Sequence, residues 1–221
     1  MVFLSVTVFV IGMISSVVAS EPRGRFAISA NGGIAKITGD ISDYFEMGFG
    51  GGFAAEYFIV DNLSLGGSYQ YNSFKFKLTD EEKARKQDLE EEIGYLETEI
   101  WQTPESVYKE YLKQQIAALK AELKELEGSF KLKSISLQGK YYLPTEGKFA
   151  PYLLGGLGEY TASNGSSETK TGIHLGMGGK YFSAQRVGFI IEGAYHIVFT
   201  EEESIKYFDM KAGLIFYLGG K

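Results

Sequence analysis

Histidine is the side chain best placed to shuttle protons at neutral pH, and this chain of 221 residues has two, His174 and His196. An acyl hydrolase would need one of them beside a serine and an orienting group. Ser68, Ser134 and Ser136 are available, but their spacing singles out none of them. Two histidines on separate segments with scattered carboxylates are a weak metal constellation. No G-x-x-x-x-G-K loop is present to cradle phosphate. The absence of cysteine removes a disulfide scaffold, a thiolate zinc site, a cysteine nucleophile and a lipoprotein anchor. A pI near 5.1 and net charge of −6 argue against nucleic acid as a partner. No catalytic residue, metal or cofactor is therefore assigned. What remains is a set of charges set singly into apolar segments: Glu56, Glu159, Glu192 and Asp209, against Lys140, Lys180 and Lys211.

The segments that carry these charges alternate with period two. Val187, Phe189, Ile191, Gly193, Tyr195, Ile197 and Phe199 share one face, and Glu192 and His196 sit on the other. Similar alternation runs through 26–37, 47–58, 63–76, 130–142, 152–161, 171–183 and 205–218. Eight segments of this length exceed the usual globular strand and suit tilted strands that cross a membrane. Glycine at about 13 % of the chain, with 15 Tyr and 16 Phe, fits crowded β-structure with an aromatic surface. Tight turns at 60–62, 144–147 and 183–186 alternate with polar stretches at 38–46, 79–128, 162–170 and 200–204. Aromatic residues gather at both strand ends, among them Tyr57, Phe58, Tyr141 and Tyr142 at one and Phe74, Phe76, Tyr207 and Phe208 at the other. Two membrane-interface girdles are the expectation.

The apolar run of residues 1–20 ends in Val18-Ala19-Ser20, which suits signal peptidase cleavage, although no lysine or arginine precedes it. A membrane anchor helix is the competing reading. The expected organisation is a signal peptide at 1–20, strands 1–3 at 21–78, an insert at 79–128 and strands 4–8 at 129–221.

At residues 24–78 and 129–218 the chain resembles small eight-stranded outer-membrane barrels of the OmpA/OmpX type, in the outer membrane protein beta-barrel domain family. The resemblance rests on Ala150-Pro151-Tyr152-Leu153-Leu154-Gly155-Gly156-Leu157-Gly158 and on the terminal strand. There Lys211-x-Gly213-x-x-Phe216-x-Leu218 looks like the signal such barrels show to the barrel-assembly machinery, although Gly219-Gly220-Lys221 follows where an aromatic terminus is common. It implies an all-β transmembrane fold, an eight-stranded antiparallel up-and-down β-barrel in the outer membrane of a diderm bacterium. Outer-membrane lipid and lipopolysaccharide would surround it, with both termini in the periplasm.

Strand parity then turns Glu56, Lys140, Glu159, Lys180, Glu192, His196, Asp209 and Lys211 inward, with Gln70, Gln138 and His174. Eight strands enclose just enough room for side chains to fill. A structural ion-pair network is the plain reading of these residues, and a narrow water or ion path the functional one. The insert changes period to 3.6. Thr79 or Asp80 can cap a first helix with the stripe Leu89, Ile93, Leu96 and Ile100. Thr103 and Pro104 suit the start of a second helix, and Gly128 its C-terminal cap. The 14 acidic and 7 basic residues of 79–128 make it an acidic α-helical hairpin between strands 3 and 4. Three strands precede it, so it is expected outside the cell. Tyr95, Trp101, Tyr108 and Tyr111 are candidate contacts for an extracellular protein or host ligand. The plain reading of the hairpin is a rigid structural stalk or lid, with some of these aromatics packing between the helices, and the contact surface is the sharper one. For the whole chain, the leading reading is a non-enzymatic envelope or adhesion barrel; the alternatives are a small-solute channel and, less favoured, a lipid-modifying enzyme.

Overall fold

The computed structural model describes residues 24–105, 107–164, 166–184, 186–201 and 203–218. The proposed signal segment lies outside the described residues. Eight strands follow the alternating segments: β1 (Phe26–Thr38), β2 (Gly48–Val60), β3 (Leu63–Lys75), β4 (Ser129–Tyr142), β5 (Phe149–Asn164), β6 (Ser166–Ala184), β7 (Val187–Val198) and β8 (Ile205–Leu218). Each pairs antiparallel with its sequence neighbours, and β1 closes on β8. Closure leaves no strand edge, so every spanning backbone group finds its partner inside the sheet.

The pairings also fix the stagger. From Ile28 they pass through Ala55, Gly67, Leu137, Leu157, Ile173, Ile197 and Lys206. They return to β1 at Thr38, ten positions beyond the start. Strands with such a stagger tilt steeply, and residues at equal depth are not those directly paired.

Alternation sets what faces lipid and what faces the lumen. Outward positions such as Phe53, Leu137, Leu157, Leu175 and Ile191 are exposed and apolar. The aromatic doublets at the strand ends do not form simple girdles. In Tyr57-Phe58, Tyr141-Tyr142, Phe216-Tyr217 and Tyr207-Phe208 one ring points outward and its neighbour is buried in the lumen. Successive side chains on a strand must take opposite faces, so a doublet supplies one girdle residue and one plug residue. Phe58, Tyr142, Tyr152 and Tyr217 fill the end near the termini, while Phe74, Tyr160 and Tyr207 fill the other.

The insert emerges from the end of β3 opposite the N-terminal end of β1. Helix α1 (Asp80–Gln102) opens with a capping box in which the Glu82 N–H donates to Thr79 Oγ1 at 3.2 Å and the Thr79 N–H donates to Glu82 Oε2 at 2.7 Å. Helix α2 (Val107–Leu126) starts later than expected. Thr103 ends α1 instead of starting α2, its N–H reaching Ile100 O at 3.2 Å. Proline disfavours helical geometry in the residue before it, so Thr103 adopts φ −91° and ψ 124° and the chain leaves the helix there. Gly128 has no positive φ; a Cβ there would come 3.3 Å from Glu125 O and touch Phe76 at ordinary contact distance, so the backbone does not demand glycine. The stretch 162–170 is not a polar loop either. β5 and β6 stay paired to Asn164↔Ser166, with Thr161 and Thr169 hydroxyls 2.9 Å apart. Threonine pairs across strands hold a hairpin without apolar alternation, so polarity there did not mean a loop.

Candidate functional site

The lumen contains two charge networks, one above the other. Glu56 projects inward from β2 and lies at the centre of the first. Its carboxylate accepts from Lys180 Nζ at 3.1 Å, Ser64 Oγ at 3.0 Å and Tyr142 OH at 3.1 Å. Lys140 Nζ lies 4.0 Å from Glu56 and donates to Glu192 at 3.0 Å. Tyr152 OH donates to the same Glu192 oxygen at 3.0 Å. Lys180 is fully buried, its ammonium capped by the rings of Tyr142 at 4.2 Å, Phe58 at 4.6 Å and Tyr217 at 5.2 Å.

The second network stands nearer the helices. Strand pairing brings His174 opposite His196 and sets Asp209 opposite Ala194, two positions from His196. Asp209 takes an ion pair from Lys211, and His196 Nε2 lies 3.0 Å from its carboxylate. The other His196 ring nitrogen is 3.0 Å from Tyr160 OH. The imidazole stacks on Tyr207 at 4.2 Å between ring centres and on His174 at 5.2 Å. Among the described residues of the two networks, three carboxylates (Glu56, Glu192 and Asp209) balance three ammonium groups (Lys140, Lys180 and Lys211). Buried charge is tolerated on those terms, paired and hydrogen-bonded.

Seven of the eight expected interior residues thus meet in the lumen: Glu56, Lys140, Lys180, Glu192, His196, Asp209 and Lys211. Glu159 does not. It is exposed on the outer face of β5, where Tyr152, Leu154, Gly158 and Tyr160 take the inward positions. Tyr160 determines that parity, because its ring lies over Gly172, where a Cβ would come within 2.8 Å of it. The tyrosines of both networks were missing from the sequence reading. For Tyr142, Tyr207 and Tyr217 the signal was the aromatic doublet, read there as girdle alone; Tyr152 and Tyr160 stand singly among the residues of β5.

A cavity of about 10 Å³ lies between the networks, bordered by Gln70, His174, Glu192 and His196. That is room for about one water molecule. Ser68 and Ser136 hydrogen-bond each other at 2.9 Å, and among the described residues neither histidine is hydrogen-bonded to a serine. Among the described residues there is also no cluster of three or more metal-ligating side chains. In the terminal strand, Lys211 is occupied by Asp209 and Gly213 lies against the β1 backbone, where a Cβ would come within 2.1 Å of Ala30 O. Phe216 and Leu218 face outward.

The helical hairpin packs chiefly on itself, through Leu89 and Ile93 of α1 against Leu112 and Ile116 of α2. Arg85–Glu122 at 2.8 Å and Lys120–Glu97 at 2.7 Å link the helices at the surface. Trp101 and Val107, at its tip, are each 89 % exposed, and Tyr95, Tyr108 and Tyr111 are exposed beside them. Tyr108 and Tyr111 stack at 6.4 Å, and Tyr108 OH donates to Glu99 at 2.8 Å. That bond holds the phenol protonated above its ordinary pKa. Four of these aromatics, Tyr95, Trp101, Tyr108 and Tyr111, are the candidate contacts of the sequence reading, and the fold brings them to one end of the hairpin.

A closed barrel with an apolar belt and a plugged polar interior has counterparts among known proteins. The model of the outer membrane protein beta-barrel domain family matches residues 5–216. The chain belongs to this family. Its members are placed in the outer membrane of Gram-negative bacteria. Among solved structures, this outer-membrane barrel is similar to Neisserial surface protein A, with a TM-score of 0.55 at 17 % identity over 86 % of this chain and 96 % of that one. It is also similar to the outer membrane protein OprG from Pseudomonas aeruginosa, with a TM-score of 0.51 at 11 % identity over 91 % and 99 %. At such identities the likeness is one of fold. No curated protein sequence matches the chain.

Proposed function

We propose that this outer-membrane barrel is a non-enzymatic, non-conducting support that displays its acidic helical hairpin outside the cell as a contact surface for an extracellular protein or host ligand. The observation that carries the reading is the hairpin tip. Large aromatic side chains stand exposed at the end of two helices that are braced against each other. Exposed aromatics on a rigid support bury much area on binding with little conformational entropy to lose. The plugged lumen supports a scaffold over a channel, since a conducting path needs continuous water and the cavity between the networks holds about one molecule. Periplasmic termini put the hairpin outside, because three spanning strands separate them. Lipopolysaccharide around the barrel and delivery by the barrel-assembly machinery through Lys211, Gly213, Phe216 and Leu218 complete the reading.

An epitope tag in the 103–105 link tests it. Protease added to intact cells should remove the tag, and a four-site variant with Tyr95, Trp101, Tyr108 and Tyr111 changed to serine should lose attachment to host cells or matrix while the barrel stays folded. A tag protected until the outer membrane is opened would overturn the sidedness. Unchanged attachment by the variant would overturn the contact surface, and single-channel conductance in planar bilayers would overturn the closed lumen.

A further inference from the structure

The outward positions of the eight strands carry six charges, and all six lie towards the helical rim. Five are lysines: Lys36 on β1, Lys75 on β3, Lys131 and Lys133 on β4, and Lys206 on β8. The sixth is Glu159. At the rim that holds the termini, the outward positions are instead Phe26, Tyr57, Tyr141, Tyr181 and Phe216. The asymmetry is one of chemistry: both rims have aromatic residues at outward strand positions, and only the helical rim has lysines at such positions.

Strand register gathers the lysines into two groups. Ser73 faces Lys131 and Tyr71 faces Lys133, which sets Lys75 diagonal to Lys131. Thr38 faces Lys206 and Lys36 faces Phe208, a second diagonal pair. Diagonal neighbours stand about 7–8 Å apart, and alternate residues of one strand about 7 Å. On the other side of β4, the hydroxyls of Ser163 and Thr161 face Lys131 and Lys133. All five lysines are exposed, and none closes a salt bridge among the described residues, although Lys75 acts at longer range on the Glu127 carboxylate. Like charges this close repel one another unless an anion lies between them.

Below the first group the outer wall is hollow. An apolar recess of about 750 Å³ lies over Ala55 and Gly67, walled by Phe53, Tyr69, Leu137 and Leu157, and its edge reaches Glu159 and Thr171. Cations and hydroxyls at headgroup depth above an apolar recess match one kind of molecule, an amphiphile with phosphate at its head.

We propose that Lys75, Lys131 and Lys133 bind the phosphate groups of an anionic lipid headgroup in the leaflet at the helical rim, with an acyl chain of that lipid in the recess beneath, and that Lys36 and Lys206 form a second phosphate contact. Lysine serves as a point charge for phosphate, and neighbouring hydroxyls donate to the remaining oxygens. Glu159, diagonal to Lys133, limits the site to one side. The choice of lipid A rests on the proposed sidedness, in which the helical rim meets the outer leaflet; the inference does not depend on the hairpin's contact role, because lipid binding and cell attachment are read separately.

The test uses the barrel folded in zwitterionic detergent and titrated with three probes: diphosphoryl lipid A, the same lipid stripped of both phosphates, and sodium pyrophosphate. Binding is read as the rise in the temperature at which the folded gel band converts to the unfolded one. Diphosphoryl lipid A should bind at least about tenfold more tightly than either control, and Lys75→Gln/Lys131→Gln/Lys133→Gln should remove at least about tenfold of that affinity. Lys148→Gln, in a turn at the opposite rim, should change nothing. Should the triple variant fail to fold, Lys133→Gln alone should weaken binding about threefold while Lys133→Arg preserves it. Equal binding by the lysine variants or by the dephosphorylated lipid would overturn the proposal. Pyrophosphate binding as tightly as the lipid would overturn the lipid assignment in favour of a free-phosphate site.

Discussion

Replacing Glu56 with glutamine keeps the side chain's size and removes its charge. In the native lumen Glu56 and Glu192 face Lys140 and Lys180, with Asp209 and Lys211 balanced a few residues above. The substitution leaves one surplus buried cation where Lys180 is fully enclosed. Removing one partner of a buried pair costs about 3–5 kcal/mol. The three aromatic rings around Lys180 offset part of that, about 1 kcal/mol or somewhat more. A net loss of about 2–4 kcal/mol follows. Urea titration in lipid vesicles at neutral pH, read by the gel shift between folded and unfolded bands, measures it. The single tryptophan lies on the hairpin and does not report on the lumen. Combining Glu56→Gln with Lys180→Met restores charge balance and should recover more than half of the loss. A single variant costing under about 1 kcal/mol, or a double variant no better than the single, would refute the view of the lumen as a charge-balanced plug.

Glu159→Leu tests the parity correction from the other direction: lying outside the network, it should shift barrel stability by no more than about 0.5 kcal/mol in the same titration, and a loss comparable to Glu56→Gln would return it to the interior. Ile191→Arg, on the lipid face near mid-strand, should cost about 2–4 kcal/mol, and tolerance of arginine there would mean that this wall does not face the membrane core. Thr79→Ala removes the capping box and should destabilise the first turns of α1 by about 1 kcal/mol, seen as faster amide exchange at 80–84 with no change in the barrel strands. Acid should loosen the hairpin before the barrel. Thr79 holds Glu82 and Lys86 holds Glu127 below their ordinary carboxyl value of 4.5. A lowered folded pKa adds stability that is present above the unfolded value and is lost as pH falls through the folded one. Helical circular dichroism should therefore decline below about pH 4.5 while the folded gel band persists, and a helical signal that holds or grows down to pH 3 would contradict those bonds.

Periodicity alone determined the eight strands, their order, and the change to a helical period in the insert. Polar–apolar alternation is a local property of the chain, and antiparallel neighbours joined by short turns leave one simple closure. The α1 stripe that includes Leu89 and Ile93 was readable for the same reason. Parity was readable wherever a strand had clear contrast between its faces, as in β7. It failed on β5, where Leu153, Leu154, Gly155, Gly156 and Leu157 give neither face a polar identity, so Glu159 was assigned to the wrong side. Only tertiary structure decided that case, because Tyr160 needs the space above Gly172 on the neighbouring strand. Register belongs to the same class. That Lys180 reaches Glu56, 124 positions away, or that Lys75 lies beside Lys131, depends on a ten-residue stagger summed around the closed barrel. No single strand encodes that stagger. It follows from all eight pairings meeting at once, and the charge network and the lysine belt exist only when they do.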